Sequence, residues 1–156
     1  MHRYMCYSSF LSCNVIAGVD KDLLQIPGYH YHLKKGTLEH ISWYDAIRNF
    51  FIQCLMGDTA DNIPGVPGIG RVKAKKALDK TPVENSVSLE YFHKICSALV
   101  HTKYVNYVEN NITEEDKKMF SVSDLADKLM DENASLVWIR KYKWENWKEF
   151  NGPSLV

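Results

Sequence analysis

Fourteen residues, Gly57-Asp58-Thr59-Ala60-Asp61-Asn62-Ile63-Pro64-Gly65-Val66-Pro67-Gly68-Ile69-Gly70, restrict this chain more than any other stretch. Glycine supplies backbone conformations closed to other residues, and proline removes freedom at its own position, so the segment reads as a rigid, tightly turned loop. Asp58 and Asp61 stand three apart at its entrance, a spacing that lets both carboxylates face one hard cation such as Mg²⁺. A short helix is predicted to follow, with Arg71, Lys73, Lys75 and Lys76 in its first six positions. Backbone N–H groups at a helix start, glycines that admit close approach, and clustered cations together suit a phosphate chain. The plainer reading stands beside this one. Gly-Pro loops before basic helices are common, and Asp-x-x-Asp also serves as an N-cap with a solvated neighbour.

The whole string is more specific than its parts. It closely resembles the helix-three-turn-helix signature of the 5′-nuclease family, which includes flap endonucleases, phage 5′→3′ exonucleases and the 5′-nuclease domain of bacterial DNA polymerase I. The departure lies in the spacing of the basic residues. A second block, Asp20-Lys21-Asp22-Leu23-Leu24-Gln25, follows the apolar run Val15–Val19. Read alone, that run predicts a buried parallel strand with acids at its C-terminal edge, where open α/β sheets place their sites. Asp20 and Asp22 could instead cap the turn that follows. The block also resembles a conserved segment of the same family. By that resemblance, Asp20, Asp22, Asp58 and Asp61 are catalytic residues and ligands of Mg²⁺ or Mn²⁺. The same resemblance implies that Gly65, Gly68, Gly70, Arg71, Lys73, Lys75 and Lys76 contact DNA, and that the hairpin binds a monovalent cation such as K⁺ through its carbonyls.

The 156 residues make one ordinary domain, or one and a half small ones, with formal net charge zero. The charge is segregated. Residues 71–80 carry five bases against one acid, and residues 109–133 carry eight acids against three bases. A local basic patch suffices for backbone contact, while the acidic stretch reads as a solvated face turned from DNA. Cys6, Cys13, Cys54 and Cys96 lack zinc-type spacing and read as reduced thiols of a cytoplasmic protein. No apolar run has the ~20 residues that span a bilayer, and the start lacks a signal-peptide core.

Along the chain, residues 1–13 are weakly patterned. Residues 29–41 predict a hairpin turning at Lys35-Gly36, with His30 and His32 on one face. Ser42 predicts an N-cap for a helix to Met56, with Ile47, Phe50, Phe51 and Leu55 as its buried stripe. That helix would carry Asp58 and Asp61 to its negative end, a misfit that a bound cation relieves. A further helix is expected over about Ser88–Asn110, with Leu89, Phe92, Ile95, Leu99 and Val108 packing and Tyr104 and Tyr107 at its edge. Another should start at Ser121 and run through Leu129 or Met130. Trp138, Trp144 and Trp147 among basic residues could stack on bases or staple the tail to the core; the staple is favoured.

The resulting fold expectation is mainly α with a small β portion. In family terms it is the C-terminal half of an α/β PIN-like nuclease domain, joined to a helical helix-three-turn-helix (helix-hairpin-helix) region. The divisions expected are 1–41 for the β portion, 42–112 for the DNA-binding region and 113–156 for a helical extension. The family's Glu-x-Asp-Asp cluster and basic arch have no counterpart here, so the expectation is either that a separate polypeptide supplies that half or that the chain is a truncated remnant lacking it. The implied function is a metal-dependent 5′→3′ exonuclease or flap endonuclease acting on double-stranded or 5′-flap DNA. The alternative is a non-catalytic DNA-binding module that uses the hairpin alone.

Overall fold

The computed structural model describes residues 14–139 and 146–148. It is mainly helical, with a small three-stranded sheet. The weakly patterned residues 1–13, with Cys6 and Cys13, and the tail residues 140–145, with Trp144, lie outside the described residues. Strand β1 (Val15–Gly18) leads through a 3₁₀ turn (Lys21–Gln25) to β2 (Gly28–His32), which pairs with β3 (Thr37–Ile41). The sheet order is β1-β2-β3, parallel between β1 and β2 and antiparallel in the hairpin. Gly36 closes the hairpin turn at φ +65°, a left-handed position that glycine occupies without strain.

The strand at 15–18 forms as expected, but it is not buried. Val15 is 44% exposed and Val19 beyond it 49%, because β1 is an edge strand with a single neighbour among the described residues. A short apolar run is compatible with either environment, and periodicity cannot separate them. His30 is drawn inward while His32 stays half-buried. The His30 ring is buried and donates from Nε2 to the Ile26 carbonyl at 2.7 Å.

Helix α1 (Trp43–Met56) is the centre of the molecule. Ser42 caps it as expected, accepting the Asp45 N–H at 3.0 Å. Its predicted stripe is core. Phe50, Phe51 and Leu55 are fully enclosed, each side chain contributing roughly 1.5–3 kcal/mol of transfer free energy. Helix α2 (Arg71–Ala77), α3 (Leu89–Asn111), α4 (Asp116–Met119) and α5 (Val122–Val137) complete the described fold. One hydrophobic cluster runs through α1, α3 and α5.

Two helix expectations need correction. Tyr104 is not at an edge; it is enclosed, and its hydroxyl donates to the Cys54 carbonyl at 2.6 Å. On α3, Phe92, Cys96, Val100, Tyr104 and Val108 recur every four residues and form the inward stripe. Helix α5 continues past Met130 to Val137, because buried Asn133 and Ala134 keep its inner face in contact for two further turns. The tail does act as a staple. Trp138 packs on Phe50 with ring centroids 4.6 Å apart, and the buried Trp147 donates Nε1–H to Asp131 at 2.9 Å.

Candidate metal centre and nucleic-acid interface

The loop after α1 is held by two glycines packed back to back. Gly57 ends the helix at φ +66°, and a Cβ there would collide with the Ile63 carbonyl oxygen. Gly65, at φ +60°, would collide with the Gly57 amide nitrogen if it carried a side chain. Asp58 and Ile63 exchange two backbone hydrogen bonds of 2.8 Å, which folds residues 58–63 into a small closed loop. Both acids of the Asp-x-x-Asp pair ride on that loop, just beyond the helix end. The other acidic pair sits at the C-terminal end of β1, where the 3₁₀ turn begins.

These two segments, more than thirty residues apart in the chain, meet. Asp22, Asp58 and Asp61 each present a carboxylate oxygen within 4.8 Å of the others. Asp22 and Asp58 are half-buried and Asp61 is exposed. Asp20 is not among them. Its carboxylate caps the 3₁₀ turn, accepting the Asp22 N–H at 3.0 Å, so the capping alternative describes Asp20 and the clustering alternative describes Asp22. Asp20 instead lines an adjoining cleft of about 370 Å³ shared with Lys21, Lys35 and Arg71.

The electrostatics are uneven. Burial first, then the neighbouring carboxylates of Asp20, Asp58 and Asp61, push Asp22 above the ordinary carboxylate range. Asp58 goes the other way. The Lys21 ammonium lies 2.8 Å from its Oδ2 and, with the Ala60 N–H, holds it below that range. Lys21 is thus the one cation among the described residues paired with the cluster.

Sequence reasoning missed the groups that orient Asp22. Gln53, buried on α1, donates from Nε2 to Asp22 Oδ1 at 2.7 Å. Its Oε1 accepts from Nε2 of buried Gln25, which also donates to the Val137 carbonyl at 2.9 Å. Gln25 Oε1 in turn accepts the Ile139 N–H at 3.3 Å. A chain of amides therefore ties the carboxylate to the end of α5. One signal was available. Gln53 is the sole polar residue in the run Phe50–Met56, and a lone amide in such a run must find partners when buried.

The predicted DNA-contacting residues divide into groups. Gly65 is a packing glycine: its N–H is buried and donates to Asn133 Oδ1 at 3.1 Å. Gly68 and Gly70 face open space; Gly68 has a left-handed φ of +80° that favours glycine, whereas Gly70 has an ordinary φ of −86°, so nothing within the described protein demands glycine at position 70. Arg71 faces the cleft beside Asp20, whereas Lys73 and Lys76 line a groove toward α3. Lys73 donates to the Gly68 carbonyl at 2.9 Å. Lys75 is exposed.

Among curated proteins, the chain is 29% identical over 133 residues to a 5′-3′ exonuclease of Buchnera aphidicola subsp. Baizongia pistaciae (strain Bp). The similarity supports a relationship to the 5′-nuclease family. The match covers 78% of this chain and 42% of that relative, so the chain spans less than half of the exonuclease's length. No family model and no solved structure matches. No helix among the described residues is long and apolar enough to cross a membrane.

Proposed function

We propose that this chain is part of a metal-dependent DNA nuclease, a 5′→3′ exonuclease or flap endonuclease, in which Asp22, Asp58 and Asp61 hold a Mg²⁺ or Mn²⁺ ion. One observation carries the reading: three carboxylates from two separate segments converge at a protein surface beside a glycine-rich loop and a basic helix. The donor set fits a hard divalent cation, which takes oxygen ligands and retains waters alongside a few carboxylates. The raised Asp22 fits as well, since a cation would relieve the repulsion that the three acids exert on one another. When bound, such a cation supplies polarisation of a phosphodiester and activation of water for hydrolysis.

The chain's own residues have distinct parts in this scheme. Gln53 fixes the orientation of Asp22, as outer hydrogen-bond partners of metal ligands do. The Gly57–Gly65 contact sets Asp58 and Asp61 against it. Lys21 balances Asp58 and would exchange its place for the incoming cation. Asp20 acts through the cap that positions the Asp22 backbone. Gly68, Gly70, Arg71, Lys73, Lys75 and Lys76 would grip the sugar–phosphate backbone in a helix-hairpin-helix manner; an open Gly70 without an internal packing role suits close approach of a strand. The hairpin carbonyls would take a monovalent cation, and further acids of the site would come from a segment beyond this chain.

Calorimetry with Mn²⁺ tests the centre directly. Wild type should release heat that Asp58→Ala lacks, while Asp20→Ala should retain most of it. Equal heats from wild type and Asp58→Ala would sink the metal assignment. A 5′-flap substrate incubated with Mg²⁺ then tests the reaction. The reading of a DNA-binding module without catalysis is favoured by one observation, the Lys21–Asp58 ion pair, which already neutralises part of the cluster. Duplex binding that survives Asp22→Ala/Asp58→Ala, with no Mn²⁺ heat in wild type, would establish it.

A further inference from the structure

We infer, on the metal reading proposed above, that α5 is the spacer of the carboxylate cluster and that Asn133 and Gln25 are positioning residues for it. Both acidic segments hang on α1 from one side. Gly57 ends that helix and opens the loop of Asp58 and Asp61, and Gln53 reaches from it to Asp22. From α5 each segment meets a second support. Asn133 Oδ1 accepts the buried Gly65 N–H at 3.1 Å, and Gly65 is the residue wedged against Gly57. At the end of α5 the Val137 carbonyl, which has no partner within its own helix, accepts Gln25 Nε2 at 2.9 Å. Gln25 passes that tie through Gln53 to Asp22. The two anchor points stand four residues apart, a rise of about 6 Å along one helix, so α5 sets one acidic segment at a fixed offset from the other.

The distribution of buried polar groups singles out these contacts. Among the described residues the buried polar side chains are Gln25, His30, Gln53, His93 and Asn133, and three of these five belong to the two supports. A buried amide is costly unless its partners are in place, so a satisfied network fixes one arrangement rather than several. Each amide here also has its direction locked. Asn133 donates Nδ2 to the Leu129 carbonyl at 2.9 Å, which leaves its oxygen for Gly65. Gln25 is locked by backbone at both atoms, Nε2 by the Val137 carbonyl and Oε1 by the Ile139 N–H. With that end fixed, Gln53 must offer Oε1 to Gln25 and Nε2 to Asp22. Backbone groups 112 and 114 residues beyond Gln25 thereby dictate that Asp22 Oδ1 meets a donor. The length of α5 points the same way. Its last two turns, past Met130, carry both anchor points, and a helix ending at Met130 would leave Gly65 and Gln25 without them.

Mn²⁺ calorimetry on Asn133→Ala and Gln25→Met, at a temperature where each is folded, tests the spacer. Each variant should bind Mn²⁺ about tenfold more weakly than wild type, the scale expected for outer partners of metal ligands. Val100→Ala removes a fully buried side chain of α3 that belongs to neither support, so it should lose stability yet bind Mn²⁺ like wild type. That split separates positioning from a general weakening of the fold. Hydrogen exchange in EDTA reads the supports without metal. Asn133→Ala should speed exchange of the Gly65 amide, and Gln25→Met that of the Ile139 amide. Gln25→Met keeps the length of the side chain, so it decides alone if Asn133→Ala fails to fold. A folded variant that binds Mn²⁺ within twofold of wild type overturns the spacer, as does Val100→Ala weakening Mn²⁺ equally or unchanged exchange at Gly65 and Ile139. Wild type without Mn²⁺ heat is a different result: it sinks the metal reading itself, and the spacer with it.

Discussion

The carboxylate cluster and the lysine groove are two charged regions built on opposite terms. Around the cluster, compensation is internal: Lys21 meets Asp58, Gln53 meets Asp22, and buried Gln25 carries the network to the end of α5. In the groove, Lys76, Lys80 and Lys103 share a concavity without a partner acid among the described residues. The first region is pre-organised by buried hydrogen bonds, which suits a small ion that must be held in fixed geometry. The second is open and carries no carboxylate in its lining. Substitutions that break the hydrogen-bonded frame around the cluster should therefore cost stability, and substitutions of the groove lysines should cost little.

The strongest way to break that contrast is Gly57→Ala. The left-handed φ and the collision with the Ile63 carbonyl should lower stability by on the order of 2–3 kcal/mol and scatter the Asp58 loop. Chemical denaturation reads the loss, and Gly70→Ala, whose Cβ meets nothing, should stay within about 1 kcal/mol of wild type. If both glycines tolerate alanine equally, the loop is not the rigid element described above.

Gln53→Leu comes next. It leaves the Asp22 and Gln25 polar groups without their buried partner, a loss of roughly 1–3 kcal/mol. Mn²⁺ affinity should fall about tenfold or more. A destabilised protein that binds Mn²⁺ as tightly as wild type would make Gln53 purely a packing residue.

Asp22→Asn should act with the opposite sign on the metal-free protein. The folded state raises this group's pKa, so it holds a proton more readily than the unfolded chain does. Ionised Asp22 is therefore a cost at neutral pH, relieved as the pH falls through its raised value, and the neutral amide removes that cost. Thermal melts in EDTA should show Asp22→Asn above wild type at pH 7, with the gap closing toward acid. Adding Mn²⁺ at a hundredfold excess over Kd should raise wild type by about 2.7 kcal/mol and leave the variant unmoved. Asp58 has the reverse linkage. Its depressed pKa contributes stability above the ordinary aspartate value, and that contribution fades as the pH drops through the lowered one.

The smallest effect is expected at Lys21→Met. A half-exposed ion pair of this kind is worth about 0.2–1 kcal/mol, so freeing Asp58 should tighten Mn²⁺ binding roughly 1.4- to 5-fold. Weaker binding would mean that Lys21 assists the cation rather than standing in its place.

Local chemistry alone determined much of this protein. Ser42 and Ser121 announce helix starts through side-chain oxygens that accept the N–H three residues on, and Gly36 marks the hairpin turn. The Asp-x-x-Asp pair, the glycine-rich loop and the basic helix are contiguous, so their order and proximity are written in the chain. Tertiary structure decided the rest. Of two aspartates separated by a single lysine, Asp22 joins the cluster and Asp20 becomes a cap, because a 3₁₀ turn aims neighbouring side chains in different directions. Tyr104 goes to the core because α1 offers it the Cys54 carbonyl, and Lys103 joins the basic groove because α3 packs where α2 can reach it. Residues far apart in sequence acquire a shared purpose only when packing brings them within hydrogen-bond or Coulomb range, and no spacing rule within a single segment contains that distance.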